Sequence, residues 1–497
     1  MAFDTVWVVQ ILGILLSLPF ALGLIGIAYR LRPHLWPYLY LIIICLAASL
    51  QTWRALIAAP WLSAVVLLAL LFSVVVGLPH LWREVKRQWL EDLKPGLLEL
   101  DRLSKTAFFV VCAALLIEIF FAAFPGYRYD QYNYHLVIPK LVDSYGALPE
   151  LFGTDHTHFT GVWEFFFASF RLVSGNDLII QTATTTFTFL SYVIPISGLL
   201  WQITKPERFL PLWWVGLPAL AIYIHVELEP VVSAKPDFVK VAAAMAIVAA
   251  QTLASRERFF MTFFFLVAGM AFKVTWVHTA LALSTGLIFI LPRHFNRSVI
   301  VSSVAGALLG LVCVFPVFVK NILIFGNPIH PQQAGPFKST LVTEAFFKYW
   351  TPIAGAPKGF AETLRNIGNV PWQHIAYYNP FIPGLLLLGV LCFKQKKLGL
   401  QVIQKSFPWV LAWVAYLVLW GILLRFDISN RFVAVGCIFP LILTVQGLRL
   451  SEAQPRVMTL VIALPLLLNG AFEVKMRRMV KGALLSYSDY VRVNFSP

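Results

Sequence analysis

Apolar segments long enough to cross a bilayer recur along this chain and constrain its fold more than any other feature. The 497 residues are 59% apolar and only 13% charged, whereas a soluble domain is nearer half apolar and a quarter charged. Mean hydropathy is +0.76. Long apolar segments satisfy their backbone groups in lipid by forming helices. The sequence therefore predicts an all-α, polytopic transmembrane bundle whose outer loops carry short amphipathic helices.

Hydropathy predicts about 13 crossings. The candidate spans are Val6–Ala28, Trp36–Leu50, Trp61–Gly77, Ala107–Phe124, Leu178–Ile203, Leu210–Ile224, Val239–Leu253, Phe259–Phe272, Val274–Leu291, Ile300–Val319, Phe381–Phe393, Phe407–Leu424, Phe432–Leu448 and Val457–Leu468. We divide the chain into N-terminal helices with a cytoplasmic amphipathic segment (1–105), a catalytic membrane module (106–448), and a last helix with a basic tail (449–497). The amphipathic segment, Trp82–Lys105, is expected to be interrupted at Pro95-Gly96.

Basic residues in the short loops predict the orientation, because cytoplasmic loops are enriched in lysine and arginine. The loops that carry them follow the first and third spans and lie near residues 256, 293 and 394. This orientation places residues 125–160, 321–379 and 425–431 together on the outer face. The number of crossings between Gly161 and Asp237 is consistent only if one apolar run, for example Gly161–Leu172, is re-entrant or half-spanning, and this stays open. Counting the spans places the basic C-terminal tail on the outer face, whereas its positive charge indicates the cytoplasmic side. Both alternatives stay open.

The net charge of +15 fits this loop pattern better than nucleic-acid binding, and it also suits membrane lipids or phosphates. The five cysteines lie in apolar runs without metal-ligand spacing. His156 and His158 suit a solvated loop better than a metal site, because no third ligand is evident. The sequence thus predicts no certain cofactor, with a divalent metal left open.

The first outer loop brings titratable and aromatic side chains together directly after a helix-breaking Pro-Gly pair. It contains Asp130, Tyr134, His135 and Lys140. Residues from Tyr134 onward have the spacing of an apolar helical stripe, with Asp130 just before it. Asp130 is therefore either a catalytic carboxylate or only a helix cap, and the tyrosines are either part of a site or an aromatic belt.

Further charged candidates lie at the outer ends of later spans. Glu164 opens an apolar run, where a carboxylate is costly and usually functional. Asp237 forms a structural ion pair with Lys235 or Lys273, or alternatively one of these lysines receives a phosphate. The remaining candidates are Lys320, Asn321, Arg425 and Arg431. The alternative to phosphate binding is snorkelling of the side chain for Lys320. For Arg425 and Arg431 it is an ion pair with Asp427.

Taken together, these features resemble the bacterial GT-C membrane glycosyltransferases, in the branch of family 39-like protein O-mannosyltransferases and aminoarabinose transferases. The features, over about Ala107 to Leu448, are Asp130…Tyr134-His135…Pro139-Lys140, Glu164, Lys235-Pro236-Asp237, Lys273, Lys320-Asn321…Gly326-Asn327-Pro328 and Asn430-Arg431-Phe432. The chain departs from that family in its extra N-terminal helices and in lacking a long folded C-terminal domain.

The resemblance implies transfer of a sugar, with inversion, from a polyprenyl-phosphate donor to a lipid, glycan or protein acceptor. It implies a bacterial inner-membrane protein with a site facing the periplasm. Asp130 matches the family's catalytic aspartate, and Lys273, Lys320, Arg425 and Arg431 are the candidates for the donor phosphate. A transporter or flippase for a polyprenyl-linked or anionic lipid is the alternative, since such proteins also hold charges among broken helices.

Overall fold

The computed structural model describes residues 3–122, 137–147, 161–207, 210–228, 237–273, 276–290, 296–328, 389–390, 392–419 and 438–450. Within these ranges the chain is helical and contains no strand, which confirms the predicted all-α class.

Fifteen α-helices are numbered here in chain order within the described residues. They are α1 (Phe3–Leu31), α2 (Trp36–Leu56), α3 (Trp61–Gln88), α4 (Lys94–Glu99), α5 (Arg102–Ala122), α6 (Val137–Tyr145), α7 (Val162–Phe166), α8 (Asp177–Thr204), α9 (Leu210–Leu228), α10 (Asp237–Ala250), α11 (Ser255–Phe272), α12 (Trp276–Ile288), α13 (Arg297–Phe325), α14 (Lys396–Leu419) and α15 (Ile438–Leu450). A 3-10 helix, Phe167–Leu172, continues α7 directly.

Among the described residues, five helical stretches are long and apolar enough to cross a membrane. They are Val8–Leu31, Pro33–Leu56, Trp61–Glu99, Asp177–Thr204 and Arg297–Phe325. Three shorter apolar helices, Leu210–Ile222, Val239–Ala250 and Trp276–Ile288, accompany them. The chain is therefore a helical membrane protein, and the total of about 13 crossings remains a prediction.

Glycines allow α1 and α3 to pack with their backbones in close approach. A Cβ added at Gly26 would lie 2.0 Å from the Gly77 carbonyl oxygen, and one added at Gly77 would lie 2.0 Å from that of Gly23. In lipid, where burial of apolar surface does not drive helix association, small residues at an interface gain van der Waals contact. This seam fixes the N-terminal helices against each other.

Local sequence signals start and stop the longest later helices. Asn176 caps α8, because its side-chain oxygen accepts from the backbone N–H groups of Leu178 and Ile179. Asn296 caps α13 in the same way. Gly326 ends α13 in the left-handed conformation, with φ of 63°, which glycine adopts without steric cost.

The helix does not break at Pro95-Gly96 as expected. Trp61–Gln88 continues through a π-helical turn, Trp89–Leu93, into α4, and the chain first becomes extended at Leu100. Pro95 lies in the first turn of α4, where a missing N–H and a fixed φ are tolerated. The π turn thus absorbs the disturbance that we expected the proline to cause.

Contacts between helix termini define two ends of the bundle. At one end, which we call the His34 end, His34 Nε2 lies 3.1 Å from Glu257 Oε1 near the start of α11. Gln202, near the end of α8, donates to the His34 carbonyl. Tyr29, near the end of α1, donates to Glu84 of α3 at 3.1 Å.

The opposite end, which we call the Arg54 end, contains the last turn of α2 and the start of α8. Arg54 Nη2 lies 3.3 Å from Asp143 Oδ1 on α6, and Arg171 Nη1 lies 2.7 Å from Asp177 Oδ1. The basic residues that predict the cytoplasmic side flank the His34-end contacts, whereas α2, α5, α11 and α13 run toward the Arg54 end. The membrane side that each end faces remains a prediction.

Candidate functional site

A short, mostly buried helical segment, Gly161–Leu172, packs into the bundle with both of its ends near the Arg54 end. A Cβ on Gly161 would lie 2.4 Å from the Ala271 carbonyl oxygen, so the segment begins against the last turn of α11. Near the other end of the segment, Arg171 contacts Asp143 and Asp177. The segment is too short to cross a bilayer. We call it the re-entrant segment after the hydropathy count, and that it is re-entrant remains a prediction.

Aromatic packing holds this re-entrant segment in place. Trp163, Phe166 and Phe170 all contact the ring of Phe187 in α8, with centroids 5.1 to 6.5 Å apart. Every side chain from Val162 to Phe170 is buried. Large rings contribute much buried area and additional edge-to-face attraction. The segment is therefore a rigid support for the residues that it carries.

Glu164 is the carboxylate on this support, and it is only 1% exposed. It exerts an electrostatic attraction on the ammonium group of Lys320, which lies in the penultimate turn of α13 and is 2% exposed. Ionisable side chains buried inside a membrane protein are expensive and usually functional. The structure thus brings together two residues that the sequence predicted separately.

Asn321 follows Lys320 directly in the chain, and Lys273 follows the last turn of α11, against which Gly161 packs. The Asn321 amide donates to the Pro328 carbonyl at 3.1 Å, which fixes the turn that follows α13. Lys273 follows the last residue of α11, Phe272, whose ring centroid lies 6.3 Å from that of Trp163. Lys273 is half-buried. The beginning of the re-entrant segment and these three polar residues therefore share one region of the Arg54 end.

A network of five charged side chains lies at the same end of the bundle. Asp143 contacts both Arg54 and Arg171, and Asp177 contacts both Arg171 and Lys140, whose Nζ lies 2.6 Å from Asp177 Oδ2. The network joins α2, α6, the 3-10 helix and α8. Lys140, predicted to bind substrate, is paired with a carboxylate here and helps to hold α6 in place.

Several predicted site residues cannot be placed in this geometry. Asp237 begins α10 at the Arg54 end, but its side chain is not described. Five others lie outside the described residues, namely Asp130, Tyr134, His135, Arg425 and Arg431. Their roles stay predictions.

Sequence reasoning missed other buried charges at the Arg54 end. Lys240 is fully buried one turn into α10, and Arg54 and Glu118 are 2% and 8% exposed. The sequence could have indicated these three residues, because each is a single charged residue near the edge of an apolar run, and such residues are rare in membrane helices. For Arg171 and Asp177 the sequence gave no comparable signal, since both read as ordinary loop charges.

All the buried charged side chains of the described residues lie in the half of the bundle nearer the Arg54 end. In the same part of the chain, no group of three or more His, Cys, Asp or Glu side chains is placed to hold a metal ion. The site as described therefore consists of carboxylates and cations around a re-entrant helix.

Fold and site define a helical membrane protein with an intramembrane charged site at one end of its bundle. Its family follows from sequence comparison. The chain belongs to the family described as "Domain of unknown function (DUF8201)", whose model matches residues 8–341. The match runs from α1 through α13 and includes the re-entrant segment. No curated protein and no solved structure matches the chain.

Proposed function

We propose that this protein is a membrane glycosyltransferase that moves a sugar from a polyprenyl-phosphate donor to an acceptor at the outer face of a bacterial inner membrane. One observation carries the proposal. Buried cations and a buried carboxylate converge at the bundle end where the helices preceding the predicted outer segments terminate. A lipid-linked phosphate at the membrane edge requires cations at that level, because its charge grows as the sugar departs.

The proposed reaction is a single displacement with inversion. The acceptor hydroxyl attacks the anomeric carbon, Asp130 takes its proton, and the bond from that carbon to the phosphate oxygen breaks. Lys273 and Lys320 neutralise the leaving phosphate together with Arg425 and Arg431. Lysine suits this role as a compact point charge, and arginine as a planar fork.

Glu164 has a supporting role in this scheme. It holds Lys320 charged in a region from which water is excluded, so that the ammonium group is already oriented when the phosphate arrives. Preorganised charge of this kind costs no reorganisation during the reaction. The rigid aromatic packing of the re-entrant segment supports that role.

The test is transfer by purified protein in nanodiscs, with radiolabelled polyprenyl-phosphate sugars as donors and a membrane extract as acceptor. We expect Asp130→Asn to lose transfer while keeping donor binding. Asp92→Asn is the matched control, because Asp92 is an exposed aspartate beyond the His34 end. Full transfer by Asp130→Asn would remove Asp130 from the proposed role. Absence of transfer by the unaltered protein with every donor would refute the proposal itself.

A flippase or transporter of a polyprenyl-linked or anionic lipid is the second candidate. The observation that favours it is the re-entrant helix with a buried carboxylate, because transporters build their sites from interrupted helices. Proteoliposomes carrying a fluorescent polyprenyl phosphate distinguish the two. Lipid movement across the bilayer without any sugar transfer would favour transport.

A further inference from the structure

Arg54 is a buried guanidinium whose hydrogen-bonding capacity is only partly used. It lies in the last turn of α2 and is 2% exposed. Its Nη2 donates to Asp143 Oδ1 at 3.3 Å. Its Nε and Nη1 have no hydrogen-bond partner among the residues that the structure describes. A buried donor without an acceptor carries a desolvation cost, which is larger for a charged group.

Gln51 adds a second unused donor on the same face of α2. It precedes Arg54 by three residues, a spacing that places two side chains on one helix face. Gln51 is fully buried, and its Oε1 accepts from the Ser63 hydroxyl at 2.9 Å. Its Nε2 has no partner within the described ranges. The unused groups of both residues are therefore all N–H donors.

The charge balance of the surrounding network points to the same kind of ligand. Within the described ranges, three cations, Arg54, Arg171 and Lys140, share ion pairs with two carboxylates, Asp143 and Asp177. Lys140 and Asp177 are partly exposed, whereas the Arg54 side chain is 3% exposed. Solvent therefore screens the outer pair well and the inner cation poorly. Among the described residues, this network therefore carries one more positive than negative charge.

We propose that Arg54 and Gln51 form a buried oxyanion site that takes a phosphate group. The ionised oxygens of a phosphate accept hydrogen bonds from these N–H donors, and its negative charge offsets the excess positive charge of the network. Arginine is suited to this ligand, because its guanidinium is always charged and less strongly hydrated than an ammonium group. Asp143 holds the guanidinium in place by accepting from Nη2. The group comes either from a lipid headgroup or from the free ion.

This site is separate from the proposed transfer chemistry and does not depend on it. It uses α2, which the predicted catalytic module (106–448) does not include, and none of its residues is assigned to the sugar or its leaving group. Phosphate binding at Arg54 and sugar transfer can therefore succeed or fail independently.

The test measures phosphate binding by full-length protein in a maltoside detergent, which contains no phosphate. The probes are inorganic phosphate, dioctanoyl phosphatidic acid, and dioctanoylglycerol as the matched lipid without phosphate. Ligand-dependent thermal unfolding gives the affinities. We expect phosphatidic acid to stabilise the protein and dioctanoylglycerol not to do so. If inorganic phosphate also stabilises the protein, the free ion is sufficient. If only phosphatidic acid does so, the lipid headgroup is the source.

The variants are Arg54→Gln and Gln51→Met, with Arg32→Gln as the matched charge-loss control, since Arg32 is exposed at the His34 end. We expect each site variant to weaken binding about tenfold or more, and the control to bind like the unaltered protein. If Arg54→Gln does not fold, Gln51→Met decides, because it leaves every ion pair in place. Unchanged affinity in Gln51→Met, or equal stabilisation by dioctanoylglycerol, would overturn the proposal.

Discussion

Replacement of Gly161 by alanine tests whether the entry of the re-entrant segment positions Glu164. An added Cβ would lie 2.4 Å from the Ala271 carbonyl oxygen and 2.5 Å from that of Phe272. Ordinary carbon–oxygen contacts are about 3.3 Å or longer, so one backbone has to move by roughly 0.9 Å. Both neighbours are backbone atoms and cannot rotate away. The displaced residue is three positions from Glu164.

Two opposing contributions determine the change in stability. Gly161 has φ −88° and ψ −159°, an extended conformation open to alanine, so the loss of unfolded-state freedom would stabilise by about 0.4–1 kcal/mol. Overpacking against fixed neighbours costs about 1–3 kcal/mol. The clash should prevail, and we expect a net destabilisation of about 1–2 kcal/mol.

Gly175→Ala is the matched control, because Gly175 follows the same segment and an added Cβ would meet nothing within 4 Å. That variant should be neutral or more stable by up to about 1 kcal/mol. The assay is denaturant unfolding in detergent, with hydrogen exchange of residues 162–172 as a local readout. If sugar transfer is detected, Gly161→Ala should lower it by about 100-fold. Identical unfolding of the two alanine variants would refute the packing argument.

Three further predictions concern stability. Glu164→Gln and Lys320→Met should each destabilise by about 3 kcal/mol, and the double variant should cost less than their sum by about 1–3 kcal/mol; additive effects in this cycle would contradict the electrostatic pairing. Gly77→Leu places a Cβ 2.0 Å from the Gly23 carbonyl oxygen. It should greatly reduce the monodisperse fraction of the protein in size-exclusion chromatography. A normal elution profile would argue against close packing of α1 and α3. Lys140→Gln breaks a pair whose side chains are 41% and 42% exposed, so the unfolding free energy should change by less than about 1 kcal/mol.

The helical class and the position of five spans could be predicted from sequence, because hydropathy and helix-stop signals act locally. Gly326, for example, ends α13 through its own backbone conformation. The re-entrant reading of Gly161–Leu172, which came from counting, remains a prediction. The continuous helix through Pro95 could not be predicted, because a π turn depends on how the helix packs farther along.

The site was predicted less completely, and the reason is geometric. Glu164 and Lys320 are 156 positions apart, and only the packing of α7 against α2 and α13 brings them together. Each stood out alone because an ionisable group beside an apolar run is costly. Arg171 and Asp177 gave no such signal, since their ion pairs with residues of other elements arise from tertiary contacts. Asp130 and the two candidate arginines lie outside the described residues, so the sequence remains the basis for their roles.

The distribution of buried charge bears on which proposed function is better supported. A transporter that alternates access needs a polar route toward both ends of the bundle. In the described residues, α10 is apolar and fully packed from Val241 to Ala250. The hydroxyls of Thr186 and Thr188 in α8 donate to carbonyls one turn back in their own helix, so they line no route. In these residues buried charge is thus confined to the Arg54 end, as expected for an enzyme that meets a lipid-linked substrate at one face. The enzyme is therefore the better supported of the two proposed functions. A substrate path from Glu164 to the His34 end would favour the transporter instead.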